Sequence, residues 1–141
     1  KKEIIEILRQ RSRPYLFSYS LAPAIVGASI KVFELLETDT SLRDQLEWNT
    51  NYFKQGMLKA GFDIIDGDSA IVPVMLYDAK LAQTMANELL KNGVYVIGFF
   101  FPVVPKEKAR IRVQLSASHT KAHLDKALST FEKVGKQLKV V

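Results

Sequence analysis

The chain has 141 residues, which is enough for one domain with a hydrophobic core, or for a core with an appendage. It has no cysteine, which excludes disulfides and thiolate metal sites, and its net charge of +5 is scattered rather than gathered into the basic, aromatic-rich surface typical of nucleic-acid binding. The longest apolar run, residues 21–30, is too short to span a bilayer, and the first residues do not read as a signal peptide.

The first predicted element is the end of a helix over residues 1–12, so we expect the chain to be a piece of a longer protein. Pro14 and the loop "RPYLFSYS" interrupt that helix. A second helix is predicted from about 21 to 37, with Pro23 in its first turn, where a missing N–H is tolerated. This helix is apolar nearly all round at first, which predicts that its first half is buried.

A third helix is predicted from Ser41 to Gly61, and the order from residue 70 onward is β-α-β-β-α. Pro73 cannot donate a hydrogen bond to a ladder, so the first strand is predicted at a sheet edge. The strands are predicted at 70–77, 94–100 and 109–116, and the helices between and after them at about 81–91 and 120–138.

A right-handed crossover would make the first two strands parallel, and placing the third strand between them makes every neighbouring pair antiparallel. The predicted fold class is therefore α/β, an α+β sandwich with strand order 1-3-2 and helices on one face of the sheet. If Ile111, Val113 and Leu115 face the helices, then Arg110 and Arg112 lie on the open face.

Two interpretations of Arg110 and Arg112 stay open at this point. They can be solvated residues on an exposed sheet face, or a planar donor fork for a carboxylate or phosphate. Ser18 and Ser20, just before a helix, can likewise bind a phosphate or simply cap the helix. The run "FFF" at 99–101 can belong to a core or interface, or can shape the mouth of a pocket.

His119 and His123 have a spacing that can hold a metal, but no third ligand is evident nearby, so no metal site is predicted. The chain also contains no nucleophile motif, no P-loop and no GxGxxG. The residues by themselves therefore predict a ligand-facing module without identifying a reaction. A stand-alone, non-catalytic βαββα module that binds a small ligand or a protein partner remains an alternative.

The stretches "RPYLFSYSLAPAIVGASI" and "VYVIGFFFPVVPKEKARIRVQLSASHT", with the closing "GKQLKV", resemble the α-oxoamine synthases, PLP-dependent enzymes of the aspartate-aminotransferase fold. Within that family, whose other members make aminolevulinate, aminooxononanoate or ketosphinganine, the chain looks most like the glycine C-acetyltransferases. The alternative is another α-oxoamine synthase, of the aminooxononanoate or aminolevulinate synthase type. The resemblance places residues 1–40 at the end of the large domain, with the phosphate-contact loop and a connecting helix. It places residues 41–141 in the C-terminal small domain.

The resemblance implies the cofactor pyridoxal 5′-phosphate (PLP) and the condensation of glycine with acetyl-CoA to 2-amino-3-oxobutanoate and CoA, in threonine and glycine metabolism. It also implies a homodimer with the active site at the interface. A cytoplasmic enzyme is expected, and a mitochondrial copy without its transit peptide would have the same sequence features. No nucleic acid, membrane or metal partner is expected.

The resemblance also assigns roles to individual residues. Arg112, the second arginine of "RIR", is expected to bind the amino-acid carboxylate, and Arg110 to be structural support. Ser18, with Tyr19 beside it, is expected to contact the PLP phosphate of the neighbouring subunit. Relatives often have Asn in place of Tyr19, which leaves an amide contact in doubt. The family's Schiff-base lysine segment has no match here, so these residues alone are expected to be inactive.

Overall fold

The computed structural model describes residues 1–17 and 21–141, and the chain divides into two compact units, Lys1–Thr40 and Ser41–Val141. The first unit contains helices α1 (Lys2–Arg11), α2 (Arg13–Leu16) and α3 (Pro23–Thr38). The second unit contains α4 (Ser41–Lys59), β1 (Ile71–Tyr77), α5 (Ala79–Lys91), β2 (Ile97–Phe99), β3 (Ala109–Gln114) and α6 (Lys121–Gln137).

Helix α3 begins with Pro23 in its first turn, as predicted, but the prediction that its first half is buried is wrong. No residue of α3 is buried, and Ile25 is 56% exposed. An apolar helix face is buried only when another element packs on it, and the described residues of the first unit supply no such element. Within the described ranges, no helix combines the length and the apolar character needed to cross a membrane.

The second unit is built on a three-stranded sheet with the order β1–β3–β2, and β3 is antiparallel to both of its neighbours. The predicted fold class and strand order are therefore confirmed. Strand β1 is the predicted edge strand, and Pro73 contributes only its carbonyl oxygen there, which accepts a hydrogen bond from the Ile65 N–H at 3.1 Å. A proline at this position leaves no ladder donor unsatisfied.

Strand β2 is shorter than predicted. Only 97–99 pair with β3, whereas the sequence pattern predicts a strand over 94–100. Strand β3 ends at Gln114 rather than at 116, although the Leu115 N–H still donates to the Ala70 carbonyl at 3.0 Å. The segment before Ile97 therefore leaves the edge of the sheet without pairing, although its composition favours a strand.

The core of the second unit lies between the sheet and the helices on one of its faces. Ile111, Val113 and Leu115 belong to this core, as predicted from their alternation with polar residues. Gly98 points toward the same face, where a Cβ atom would lie 3.2 Å from the Ala82 carbonyl oxygen, so α5 packs closely on β2. The largest fully buried side chains include Phe53, Met57, Val72, Val74, Met85, Leu89 and Phe131.

The two helices that flank β2 and β3 have well-defined ends. Helix α5 is capped by the Asp78 carboxylate, which accepts a hydrogen bond from the Leu81 N–H at 2.7 Å. It ends before Gly93, whose φ of +83° is the left-handed conformation that terminates helices. Helix α6 begins with a capping box between Thr120 and His123. The predicted bounds of both helices therefore agree closely with the structure.

Candidate functional site

The open face of the sheet is defined by the pairing register. Directly paired residues in an antiparallel ladder point to the same face, and residues along each strand alternate between faces. Arg112 lies on the central strand β3, with a neighbouring strand on each side. Two rows of side chains therefore share the open face, namely Pro73–Arg112–Ile97 and Met75–Arg110–Phe99.

Arg112 is exposed, and its guanidinium lies over an aromatic ring. The Arg112 Cζ atom is 4.3 Å from the centroid of the Phe99 ring. Within residues 1–17 and 21–141, no hydrogen bond or ion pair is formed by this guanidinium. Its planar set of N–H donors is therefore free to form the parallel pair of hydrogen bonds that a carboxylate accepts.

Arg110 differs from Arg112 although the two residues share a strand and a face. Arg110 is half-buried, and its Nε donates a hydrogen bond to the Lys108 carbonyl at 3.0 Å. One donor of its fork is thus used by the loop that leads into β3. The sequence alternation predicts the same face for both arginines and does not distinguish them. Their contacts do, because only Arg112 keeps all of its donors available to a ligand.

A cavity of about 750 Å³ adjoins Arg112. Residues 93–96, which do not pair with β3, line this cavity together with residues 112–115 of β3 and the segment after it. The cavity therefore lies where β2 is shorter than predicted. Its wall is mostly apolar and includes Val94, Ile97 and Leu124, while Arg112 and Lys126 bring positive charge to it. An apolar cleft with a few placed polar groups is typical of small-molecule sites.

The three phenylalanines of the "FFF" run have three different environments. Phe99 lines the cavity and stacks on Arg112, while Phe100 packs against the core. Phe101 is 58% exposed, and Lys106 Nζ lies 5.4 Å from its ring centroid. The prediction of a pocket mouth therefore applies to Phe99. Its contact with Arg112 was missed, although strand order 1-3-2 with alternation places both residues on the open face.

The two histidines serve the turn between β3 and α6. The Nδ1 atom of His119 accepts a hydrogen bond from the Ser116 N–H at 3.2 Å, and that of His123 accepts one from the Thr120 N–H at 3.3 Å. In the part of the chain that the structure describes, no three His, Cys, Asp or Glu residues come together as a possible metal site. Both rings therefore have a structural role at the start of α6.

The same turn is also held from α4. Asn49 is fully buried, and its Nδ2 donates to the Ser116 carbonyl at 2.8 Å and to the His119 carbonyl at 2.9 Å. Its Oδ1 accepts a hydrogen bond from Gln45 Nε2 at 2.8 Å. Burial of an amide costs free energy unless its donors and acceptors are paired, and these are. Asn49 therefore fixes the chain directly after β3, beside the cavity.

A polar cluster joins α4 to α6. The Tyr52 hydroxyl donates to Asp125 Oδ1 at 2.6 Å, and Lys121 Nζ lies 2.7 Å from Asp125 Oδ2. The hydrogen bond from Lys121, with a smaller contribution from Tyr52, lowers the pKa of Asp125 below its ordinary value. The same ion pair, with the Tyr52 contact, raises the pKa of Lys121. This cluster stabilises the charged forms of both residues and has no contact with Arg112.

Ser18, Tyr19 and Ser20 lie outside the described residues. The phosphate contact expected of Ser18 and Tyr19 therefore stays a prediction that rests on the resemblance. The cap or phosphate role of Ser20 is likewise untested.

Comparison with known proteins gives a family that covers most of the chain. Residues 1–131 match the family Aminotransferase class I and II. The 2-amino-3-ketobutyrate coenzyme A ligase of Escherichia coli K12 is 57% identical over 141 residues, which are 100% of this chain and 35% of that protein. The 8-amino-7-oxononanoate synthase of Thermosipho melanesiensis is 47% identical over 141 residues, 100% of this chain and 36% of that protein.

A mitochondrial 2-amino-3-ketobutyrate coenzyme A ligase of Mus musculus is 47% identical over 133 residues, which are 94% of this chain and 32% of that protein. The chain thus spans about a third of the length of these curated relatives.

Solved structures share the fold. A high-resolution structure of SPT with the PLP internal aldimine has a TM-score of 0.88 and 32% identity, covering 97% of this chain and 35% of that chain. The Sphingomonas wittichii serine palmitoyltransferase has a TM-score of 0.82 and 30% identity, covering 97% of this chain and 35% of that chain. The match over residues 1–131 shows that the chain, with its small three-stranded sheet and open-face arginine, belongs to the aminotransferase class I and II family.

Proposed function

We propose that the chain is part of a glycine C-acetyltransferase, a PLP-dependent acyltransferase that condenses glycine with acetyl-CoA to 2-amino-3-oxobutanoate and CoA. The observation that carries the proposal is the Arg112 guanidinium. It is exposed beside a cavity, and among the described residues it forms no hydrogen bond or ion pair. The identity of 57% to a 2-amino-3-ketobutyrate coenzyme A ligase favours this activity. An 8-amino-7-oxononanoate synthase activity has less support, at 47% identity.

Arg112 binds the carboxylate of glycine in this proposal. Its fork donates two parallel hydrogen bonds to the two carboxylate oxygens, which fixes the direction of the substrate as well as its position. Because β3 is paired on both sides, the backbone that carries Arg112 is held in place before the substrate arrives. A preorganised clamp of this kind orients the α-carbon for the reaction.

The residues of the chain fit PLP as the cofactor. Arg112 takes the carboxylate of the amino acid that the cofactor activates, and the Ser18 hydroxyl and the Tyr19 backbone N–H are donors suited to its phosphate. When bound, PLP delocalises negative charge from the glycine α-carbon, which allows that carbon to attack the thioester of acetyl-CoA. The SPT structure with PLP, at 32% identity, supports the assignment of this cofactor.

The proposed assembly is a homodimer in which Ser18 and Tyr19 contact the cofactor of the neighbouring subunit. A dimer interface on α3 would explain why the described residues of the first unit leave its apolar side chains exposed. The proposed compartment is the cytoplasm, as expected from the family resemblance. The mouse relative is named as mitochondrial, so fractionation of the source cells would distinguish the two compartments.

The test is Arg112→Ala in the complete enzyme, with release of CoA measured as glycine and acetyl-CoA are varied. Loss of charge-assisted hydrogen bonds to the substrate is expected to raise the KM for glycine about ten- to a hundredfold, with little change in the KM for acetyl-CoA. Arg110→Ala is the matched control, because Arg110 lies on the same strand and face but already donates to the Lys108 carbonyl.

Two outcomes would contradict the proposal. An unchanged KM for glycine in Arg112→Ala would remove Arg112 from the carboxylate-binding role. A wild-type enzyme that releases CoA from longer acyl-CoA esters but not from acetyl-CoA would replace the proposed reaction with that of another acyl-chain class in the family.

A further inference from the structure

We infer that Phe99 is a positioning residue for Arg112, and that its ring fixes the plane in which the guanidinium meets the amino-acid carboxylate. The inference rests on the proposed function, because it concerns the same carboxylate. It adds a second residue to the clamp, on a different strand from Arg112.

The contact follows from the register of the sheet. Ile97 is paired directly with Arg112, and Phe99 lies diagonally across the same face. Diagonal neighbours on a sheet are within reach of long and aromatic side chains. The distance of 4.3 Å from the Arg112 Cζ to the Phe99 ring centroid is well inside the range of about 6 Å over which a cation and a ring attract each other.

A guanidinium that lies parallel to the ring keeps its donors available. A ring attracts a guanidinium through its face, whereas a carboxylate accepts hydrogen bonds in the guanidinium plane. The two partners therefore do not compete for the same part of the group. An exposed arginine without such a contact samples many rotamers, and ordering it on binding costs free energy. The Phe99 ring reduces that cost before the substrate binds.

Phe99 is itself held in place by its strand. It is half-buried on the cavity wall, and its backbone pairs with Arg110. The preceding residue, Gly98, lies so close to α5 that a Cβ atom would be 3.2 Å from the Ala82 carbonyl oxygen. This approach allows β2 to pack tightly on α5. The ring under Arg112 is therefore attached to a fixed backbone.

The experiment compares Phe99→Leu with Phe99→Tyr in the complete enzyme. Leucine keeps an apolar side chain but has no ring face, and we expect the KM for glycine to rise about two- to tenfold with kcat little changed. Tyrosine keeps the ring, and the KM should stay at the wild-type value. Phe101→Leu is the matched control, because Phe101 is an exposed ring in the same segment that does not contact Arg112.

A double-mutant cycle separates positioning from general structural damage. In an Arg112→Lys background the planar group is absent, so Phe99→Leu should have a smaller effect on the KM for glycine than it has in the wild type. If Phe99→Leu does not fold, Phe99→Met replaces it, since methionine also fills the volume without a ring. Equal effects in both backgrounds would overturn the inference.

A second measurement does not depend on catalysis. The NMR resonance of the Arg112 Nε–H proton should be shifted upfield by the Phe99 ring, and the shift should vanish in Phe99→Leu and persist in Phe99→Tyr. Absence of the shift in the wild type would overturn the inference. So would an equal KM increase in the leucine and tyrosine variants. If Arg112→Ala raises the KM while Phe99→Leu does not, only this inference fails and the proposed function stands.

Discussion

The two faces of the three-stranded sheet differ in composition and in exposure. The face toward the helices carries fully enclosed apolar side chains such as Val72, Val74 and Ile111. The open face carries exposed Arg112 and Gln114. Because successive residues of a strand point to opposite faces, β3 alternates between residues that face the core and residues that face the open side. A slip of one residue in its pairing would exchange the two sets.

This comparison predicts that the two faces respond to substitution in separate ways. Changes on the covered face should lower the free energy of unfolding, and a change at Arg112 on the open face should alter substrate binding with the fold intact. The largest expected effect is a loss of stability from a change in the core, and the smallest comes from an exposed ion pair.

Phe131→Ala should cause the largest loss of stability. Phe131 is fully buried and makes edge-to-face contacts with Phe53 at 6.0 Å and Phe62 at 5.9 Å between ring centroids. Truncation of such a residue leaves a cavity and typically costs about 3–5 kcal/mol. Urea unfolding measures the loss, with the exposed Gln114→Ala as control. A loss no larger than that of the control would contradict the assignment of Phe131 to the core.

Asn49→Ala should have an intermediate effect on stability. The substitution removes the side-chain donor of the His119 carbonyl and one of the two donors of the Ser116 carbonyl, which also accepts the His119 N–H, and we expect a cost of about 1–3 kcal/mol. Gln45→Ala removes only the bond to the amide oxygen and is expected to cost less. Both are measured by urea unfolding. If Asn49→Ala and Gln45→Ala were equal, the carbonyls of the turn would have found other donors.

Arg110→Ala should have a small effect on substrate binding. Its Nε already donates to the Lys108 carbonyl, so we expect the KM for glycine to stay within about twofold of the wild type. Steady-state kinetics beside Arg112→Ala makes the comparison direct. If Arg110→Ala and Arg112→Ala raised the KM for glycine equally, the carboxylate would be attracted by the summed positive charge of the open face. The assignment of carboxylate binding to Arg112 alone would then be wrong.

Asp125→Asn should have the smallest effect, and one that depends on pH. The pKa of Asp125 is lowered from its ordinary value of 3.8, chiefly by Lys121, so its charged form stabilises the fold above that value. This contribution is lost as the pH falls through the lowered pKa of the folded protein. The melting temperatures of wild type and variant should therefore differ slightly near neutral pH and converge in acid. A constant difference across that range would contradict the assignment.

Much of the sheet could be predicted because its determinants are local. The alternation in "ARIRVQLS" predicts which residues of β3 face the core, and Pro73 predicts the edge position of β1 because it lacks a ladder donor. The predicted bounds of α5 and α6 likewise depend on short-range signals. Each of these features depends on residues that are neighbours in the chain.

The errors have a common origin in contacts between distant segments. The burial of α3 depends on a partner that the described residues of its own unit do not supply. Residues 94–96 have a composition suited to a strand, yet they leave β3 and open the cavity. Neither the exposure of α3 nor the short β2 can be predicted from the residues of one segment alone, because each depends on contacts with other segments.

The sequence by itself determined the order of the elements, the strand order and the face on which Arg110 and Arg112 lie, because hydrophobic alternation and the geometry of crossovers act along the chain. Only the tertiary structure distinguished the two arginines, one bonded to the Lys108 carbonyl and the other stacked on Phe99 beside the cavity. The reason is that the available donors of a side chain depend on what the folded backbone brings within a few ångströms of it.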